Sequence, residues 1–312
     1  MDNLSHSVIG LGVGELVQRS LTPEADDNSQ RQRRRLLLFA GLVSSNFPDL
    51  DLFLTPLLPP PLGYLLHHRG HTHTLIWLLP QALVLLAAIW LWPPTRRLLR
   101  KSAAARVGLV LTCGLGLLLH LALDFLNSYG LHPFYPLDSR WFYGDSIFIV
   151  EPLFWIALGV PLAISVRRRW LRGACMLALL AIPVWFASRG YLAWSAVMAL
   201  ALMALAIGAL AHRDGLQQRR GLLLAMAVCV AFIGVQGLAS NRARATVVAA
   251  FEQAGDGDQV MDAAMTPFPT HPLCWVFVSV ERNEGVGSYR LRRGMLSLWP
   301  QLVPLSACPR RF

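Results

Sequence analysis

Six apolar stretches, each near the length a helix needs to cross a membrane, set the terms on which this chain can fold: residues 75–92, 106–126, 147–166, 174–188, 191–211 and 221–239. A hydrocarbon core about 30 Å thick takes about 20 helical residues at a rise of 1.5 Å each. Two shorter runs, 4–18 and 36–48, stop too soon to stand alone in lipid and are expected as helices shielded inside a bundle. Only 15% of the 312 residues are charged while 54% are apolar, a balance that excludes an ordinary soluble domain. The expected fold is an all-α polytopic membrane protein, with about six clear spans and two short buried N-terminal helices. Met1-Asp2-Asn3 offers no basic leader, so no cleavable signal peptide is expected.

The net charge of +10 suggests nucleic acid until its placement is read. Arginines and a lysine gather at Arg31 to Arg35, at Arg96, Arg97, Arg100 and Lys101, at Arg167 to Arg169 with Arg172, and at Arg213, Arg219 and Arg220. Counted through eight crossings, these clusters share one face, and the opposite connections carry only Arg69, Arg140 and Arg189. The positive-inside rule then places the clusters in the cytoplasm as solvated loops. No nucleic-acid partner is implied.

The other face carries different chemistry. Seven of nine histidines precede residue 133. They are His6, then His67, His68, His71 and His73, then His120 and His132, interleaved with Asp49, Asp51, Asp124, Asp145 and Glu151. Imidazole and carboxylate are the usual nitrogen and oxygen ligands of zinc, manganese and iron. His120 and Asp124 are four apart and share a helix face; the rival reading is a hydrogen bond that clamps two helices. Pro48 should end its helix and leave Asp49 and Asp51 in a loop. Gly70 permits a tight bend that lets flanking histidines converge. Arg69 is a fork of donors suited to phosphate, or equally the partner of a nearby aspartate. Ionisable groups within spans mark function by default.

Taken together, Ser5-His6 with Gly10, Pro48-Asp49-x-Asp51, His68-Arg69-Gly70-x-Thr72-His73, and His120-x-x-x-Asp124-x-x-Asn127-x-Tyr129-Gly130 resemble the YdjM-like family. Trp141, Asp145 and Glu151-Pro152 extend the likeness over about residues 1–155. Its members are membrane-bound proteins assigned by motif as metal-dependent hydrolases, loosely similar to zinc-dependent phospholipase C and P1-type nucleases. The resemblance implies His6, Asp49, His68, His73, His120 and Asp124 as metal ligands. Asp51, Asp145 and Glu151 would be further ligands or supporting carboxylates. Glu151 replaces the family's aspartate, and His132 stands where a neutral polar residue is expected, as a ligand or a hydrogen-bonding group. The cofactor expected is one or two divalent ions, zinc first, with manganese or iron as substitutes. Asp51 or Asp145 would accept a proton from a metal-activated water, and Arg69 would hold a phosphate. The substrate expected is a membrane lipid or lipid-linked phosphoester at the outer leaflet of a bacterial-type inner membrane. Two rivals stay open: a stress-response factor in which the metal only staples helices, and a divalent-cation or proton transporter.

The remainder divides into residues 1–166 with the site, a scaffold at 167–239, and a small α/β or β appendage at 240–312 on the outer face. Trp275-Val276-Phe277-Val278-Ser279-Val280 and Ser288-Tyr289-Arg290-Leu291 read as strands. Cys274 and Cys308 would pair if that appendage is extracytoplasmic, whereas Cys113, Cys175 and Cys229 read as packing residues. His212 falls in a cytoplasmic loop. Gly10-Leu-Gly12-Val-Gly14 lacks the lysine of a phosphate loop.

Overall fold

The computed structural model describes residues 1–213, 219–254, 258–283, 285 and 287–309. The polar stretch Gly255-Asp256-Gly257 lies outside the described residues. The N-terminal half comprises α1 (Asn3–Ser20), α2 (Asp27–Ser44), a 3-10 helix (Pro48–Leu57), α3 (Leu62–His67), a 3-10 turn (His71–His73), α4 (Leu75–Leu91), α5 (Pro93–Lys101) and α6 (Ala103–Phe125). After a long connection come α7 (Pro152–Ile164), α8 (Arg169–Ser188), α9 (Trp194–Arg213) and α10 (Arg219–Ala254), then strands β1 (Asp258–Phe268), β2 (His271–Asn283) and β3 (Ser288–Ser297).

Among the described residues, α6, α8, α9 and α10 are long and apolar enough to cross a membrane. Two bent pairs bring the total to six if each counts as one span: α2 with the Pro48–Leu57 helix, bent by 44°, and residues 62–73 with α4, bent by 76°. The stretch expected as a fifth span is different. α7 has only 13 residues, about 20 Å of helix, and almost all of them are buried between α1, α9 and α10. It is the axis of the bundle, which explains why its sequence is apolar on every side. α2 begins nine residues earlier than the apolar run suggests, because Asp26 caps it by accepting from Asn28 N and Ser29 N at 2.9 Å. The arginines from Arg31 to Arg35 therefore lie in a helix and not in a loop. Arg33 is fully buried, bonded to Gln18 Oε1 at 2.9 Å and Glu24 Oε1 at 2.8 Å. His212 likewise sits in the last turn of α9.

α1 and α2 cross with almost no gap. A Cβ on Gly10 would lie 2.2 Å from Gly41 O, and one on Gly41 would lie 2.1 Å from Gly10 O. Backbones can approach this closely only where both side chains are absent.

α10 runs unbroken for 36 residues, about 54 Å, and so continues past Ser240, where the composition changes. Its C-terminal part carries the sheet, a β1-β2-β3 antiparallel meander whose Met265 and Trp275 bury against Ala243 and Val247 of α10. Cys274 and Cys308 form a disulfide, with Cα atoms 5.8 Å apart. Both strand-like runs in the sequence lie in strands, β2 and β3; β1 has no comparable apolar signature.

Candidate metal centre

The site forms where helices break. Asp49 and Asp51 stand just beyond the end of α2, in a 3-10 helix and not in the loop expected after Pro48. The residues from His68 to His73 occupy the break before α4, and His120 and Asp124 come from the last turns of α6. Non-helical backbone at membrane depth persists only where protein surrounds it, and here Asp49, Asp51, His73, His120 and Asp124 are all buried.

Four side-chain atoms converge: Asp49 Oδ1, His73 Nε2, His120 Nε2 and Asp124 Oδ2. His73 Nε2 lies 3.4 Å from each carboxylate oxygen, His120 Nε2 lies 3.5 Å from Asp49 and 3.7 Å from Asp124, and the two nitrogens are 3.1 Å apart. A tetrahedral ion with bonds of about 2.0–2.1 Å needs ligand atoms roughly 3.3–3.4 Å apart, so the spacing fits.

Proton placement strengthens the fit. His120 Nδ1 lies 2.7 Å from Ser45 O, a pure acceptor, so Nδ1 carries the hydrogen. His73 Nδ1 faces Asp51 Oδ2 at 3.2 Å and Thr72 Oγ1 at 2.9 Å, and that hydroxyl itself donates to Asp51 at 2.6 Å. Both Nε2 atoms are then left with lone pairs pointing at each other, an arrangement that calls for a cation between them. Histidines that bind metals characteristically give their other nitrogen to a carboxylate or carbonyl in this way. Asp124 Oδ2 is buried without a hydrogen-bond partner among the described residues, although Arg69 Nη2 lies 3.1 Å away in a poor bonding direction. An orphaned buried carboxylate oxygen is a further sign of a missing ligand.

A second group, Asp49, Asp51 and His68, shares Asp49 with the first. Asp51 is heavily engaged: it receives Arg69 N at 3.0 Å and Thr72 Oγ1, and faces His68 Nδ1 at 3.1 Å. His6 reaches the rim of the first group, its Nε2 3.2 Å from Asp124 Oδ1 and its ring stacked on His120 at 4.0 Å. Its Nδ1 is buried and has no partner among the described residues. The Met1 amino group also touches Asp124 Oδ1.

The tight bend uses both Arg69 and Gly70, whose ψ of −117 lies outside the regions open to a residue with a Cβ. Arg69 has φ 59, whereas Gly70 has φ −74. A left-handed arginine costs about 1–2 kcal/mol, and the bonds that hold it are its N–H to Asp51 and its Nη1 to Asn127 Oδ1 and Gly130 O, each at 3.1 Å. Of the two roles expected for Arg69, the pairing with an aspartate is present: its Nη2 lies 3.1 Å from Asp124 Oδ2.

Asp145 and Glu151 do not join either group. Asp145 binds Arg244 Nη2 at 2.6 Å and receives Met265 N at 3.2 Å; burial pushes its carboxyl up, partly offset by those two partners. Glu151 caps α7 by accepting Leu153 N at 3.1 Å, and it receives Thr270 N at 2.9 Å as well as the Thr270 hydroxyl. Both carboxylates fasten the C-terminal sheet to the bundle. His132 is a hydrogen-bonding and stacking group, 3.3 Å from Gly70 O and stacked on Trp141 at 4.6 Å. His67 and His71 stand outside both groups. Ser45, whose carbonyl sets the tautomer of His120, carries no signal in the sequence, because a backbone oxygen leaves none.

The sequence signature of the YdjM inner membrane protein family matches residues 1–196. This chain belongs to that family. The match takes in every residue of the two His/Asp groups and places the protein with inner membrane proteins. A Bacillus subtilis (strain 168) protein described as the uncharacterized protein YfhP is 27% identical over 164 residues, which is 53% of this chain and 46% of that one. The chain therefore matches less than half of that relative's length. No solved structure matches, and the looser likeness to phospholipase C and P1-type nucleases gains no support from these comparisons.

Proposed function

We propose that this YdjM-family member is a membrane-bound, metal-dependent hydrolase of a lipid or envelope phosphoester, with zinc as its first-choice ion. The observation that carries the reading is the pair of Nε2 atoms 3.1 Å apart, completed by two carboxylates and buried beside an arginine. Asp49, His73, His120 and Asp124 would hold the ion: two neutral imidazoles and two carboxylates balance a divalent charge. When bound, such an ion supplies a Lewis acid and a water that ionises near pH 7.

The chain's own residues do the rest. Asp51 fixes His68 by its Nδ1, leaving Nε2 as the proton acceptor, the arrangement that orients a general base. This moves the base from Asp51 or Asp145 to His68, since Asp51 is committed to four donors and Asp145 to Arg244. Arg69 directs its guanidinium toward Asp124, where it would orient a phosphate and offset its charge. The disulfide in the sheet that Asp145 and Glu151 anchor supports an extracytoplasmic site, because such bonds persist in oxidising compartments.

One observation favours a second reading. Four protein ligands already complete a tetrahedron, as in structural sites that leave no position for water; the metal would then staple the broken helices. The deciding experiment uses purified full-length protein. Metal content is measured beside hydrolysis of phospholipid and phosphodiester probes, read as the phosphomonoester and alcohol released, in wild type and His68→Gln. Stoichiometric metal with activity lost in His68→Gln supports the hydrolase. Stoichiometric metal with no activity on any probe, and thermal stability dependent on the metal, selects the staple.

A further inference from the structure

At the far end of α1 and α2 lies a cavity of about 500 Å³, lined by Glu15, Gln18, Arg19, Arg31, Arg34 and Arg219 among others. It stands about 20 Å along α1 from His6, so it is separate from the metal centre. We propose that this cavity binds a phosphate-bearing anion.

The charge balance is the first argument. Among the described residues, four guanidinium groups line the cavity against one carboxylate, Glu15. Glu15 is 1% exposed and already shared: it accepts Arg19 Nε at 2.8 Å and Arg34 Nε at 2.8 Å. Arg31 has only a 3.9 Å contact with the exposed Asp27, and Arg219 has no ion pair among the described residues. Guanidinium groups gathered at one concavity repel each other, and an anion relieves that repulsion.

Preorganisation is the second argument. Glu15 fixes Arg19 and Arg34 from beneath, and Ser165 Oγ accepts Arg34 Nη2 at 2.8 Å. Two forks are thereby held in place before any ligand arrives, which is how arginine recognises phosphate with geometric selectivity. By contrast, Arg96, Arg97, Arg100 and Lys101 of α5 are exposed.

The third argument is size and position. A volume of about 500 Å³ exceeds what a bare phosphate needs and suits a head group or a small phosphorylated molecule. Three helices, α1, α2 and α10, contribute arginines from clusters far apart in sequence. Basic pockets between membrane helices are a recurrent way to hold acidic lipid head groups.

The experiment uses full-length protein in neutral detergent, titrated separately with phosphatidylglycerol and with inorganic pyrophosphate. Binding is followed by native mass spectrometry and by the shift in unfolding temperature. Replacing both rim residues, Arg31→Gln with Arg219→Gln, should weaken binding about tenfold or more while leaving the anion-free unfolding temperature unchanged. Glu15→Gln should strengthen binding. Binding of phosphatidylglycerol alone identifies a lipid head group, and binding of both probes identifies the phosphate itself; each supports the proposal. No binding of either probe by wild type, or equal affinities in wild type and the rim variant, overturns it. Should Glu15→Gln fail to fold, the rim variant decides.

Discussion

The two halves of this bundle solve different problems. In α1–α7 the interior holds imidazoles, carboxylates and arginines, and helices approach until backbones touch. In α8–α10 the surfaces are apolar and loosely engaged: 11% of the hydrophobic window of α8 is buried, against 56% of that of α6. A Cβ on Gly41 would collide with Gly10 O, whereas one on Gly173 or Gly234 would meet nothing within 4 Å. These glycines mark close contact in one half and open surface in the other, although Gly114 of α6 is open and Gly221 of α10 meets Ala211. Lipid tails are as apolar as leucine, so helices in a membrane draw together only where packing and polar bonds reward it. The first half has those bonds because it houses a site.

Four measurements would break or sharpen that contrast. The largest effect is expected from Asp124→Ala or His120→Ala, which should cut bound metal from stoichiometric to near background by elemental analysis. Leu205→Ala, on the exposed side of α9, should leave it intact. Equal loss in both would erase the distinction between the halves.

Next is the pH dependence of the sheet's attachment. Burial pushes Glu151 up to about 7 from its ordinary 4.5, only partly offset by the donors from Thr270 and Leu153. The folded protein thus keeps a proton that the unfolded chain has already released. Stability is fully present below pH 4.5 and is lost as the pH rises toward 7, by about 3 kcal/mol. Amide exchange at Thr270 should quicken over that interval, and Glu151→Gln should flatten the profile.

Gly41→Ala should cost about 1–3 kcal/mol through overpacking. It should also weaken metal binding, because displacing the end of α2 moves Ser45 O from His120 Nδ1. Unchanged metal affinity would uncouple the helix crossing from the site. The smallest effect belongs to Gly234→Ala, which should be neutral or stabilise by up to about 1 kcal/mol through helix propensity, read as a shift in unfolding temperature.

The four-ligand set was legible because metals demand particular atoms, and those atoms are scarce in an apolar chain. His73, His120, Asp49 and Asp124 stand out for that reason. Asp145 and Glu151 share the same chemistry yet hold a sheet, and composition cannot separate a ligand carboxylate from a fastening one. The bend was half legible: Gly70 takes a ψ of −117 closed to other residues, as expected, but Arg69 is also left-handed, held there by Asp51 and Asn127. Arg33 and Arg34 read as solvated because their partners, Glu24 and Glu15, lie outside their cluster.

The amino-acid sequence by itself determined that the chain is a membrane bundle, that its candidate metal-binding residues gather in the first half, and that two strands follow. Each of these rests on local properties, namely run length, residue type and alternation. Tertiary structure alone decided that α7 is a short, buried axis, that broken helices deliver the candidate ligands, and that arginines from distant clusters share one cavity. Those outcomes depend on which surfaces meet, and contact between segments more than a hundred residues apart is written in no single stretch of sequence.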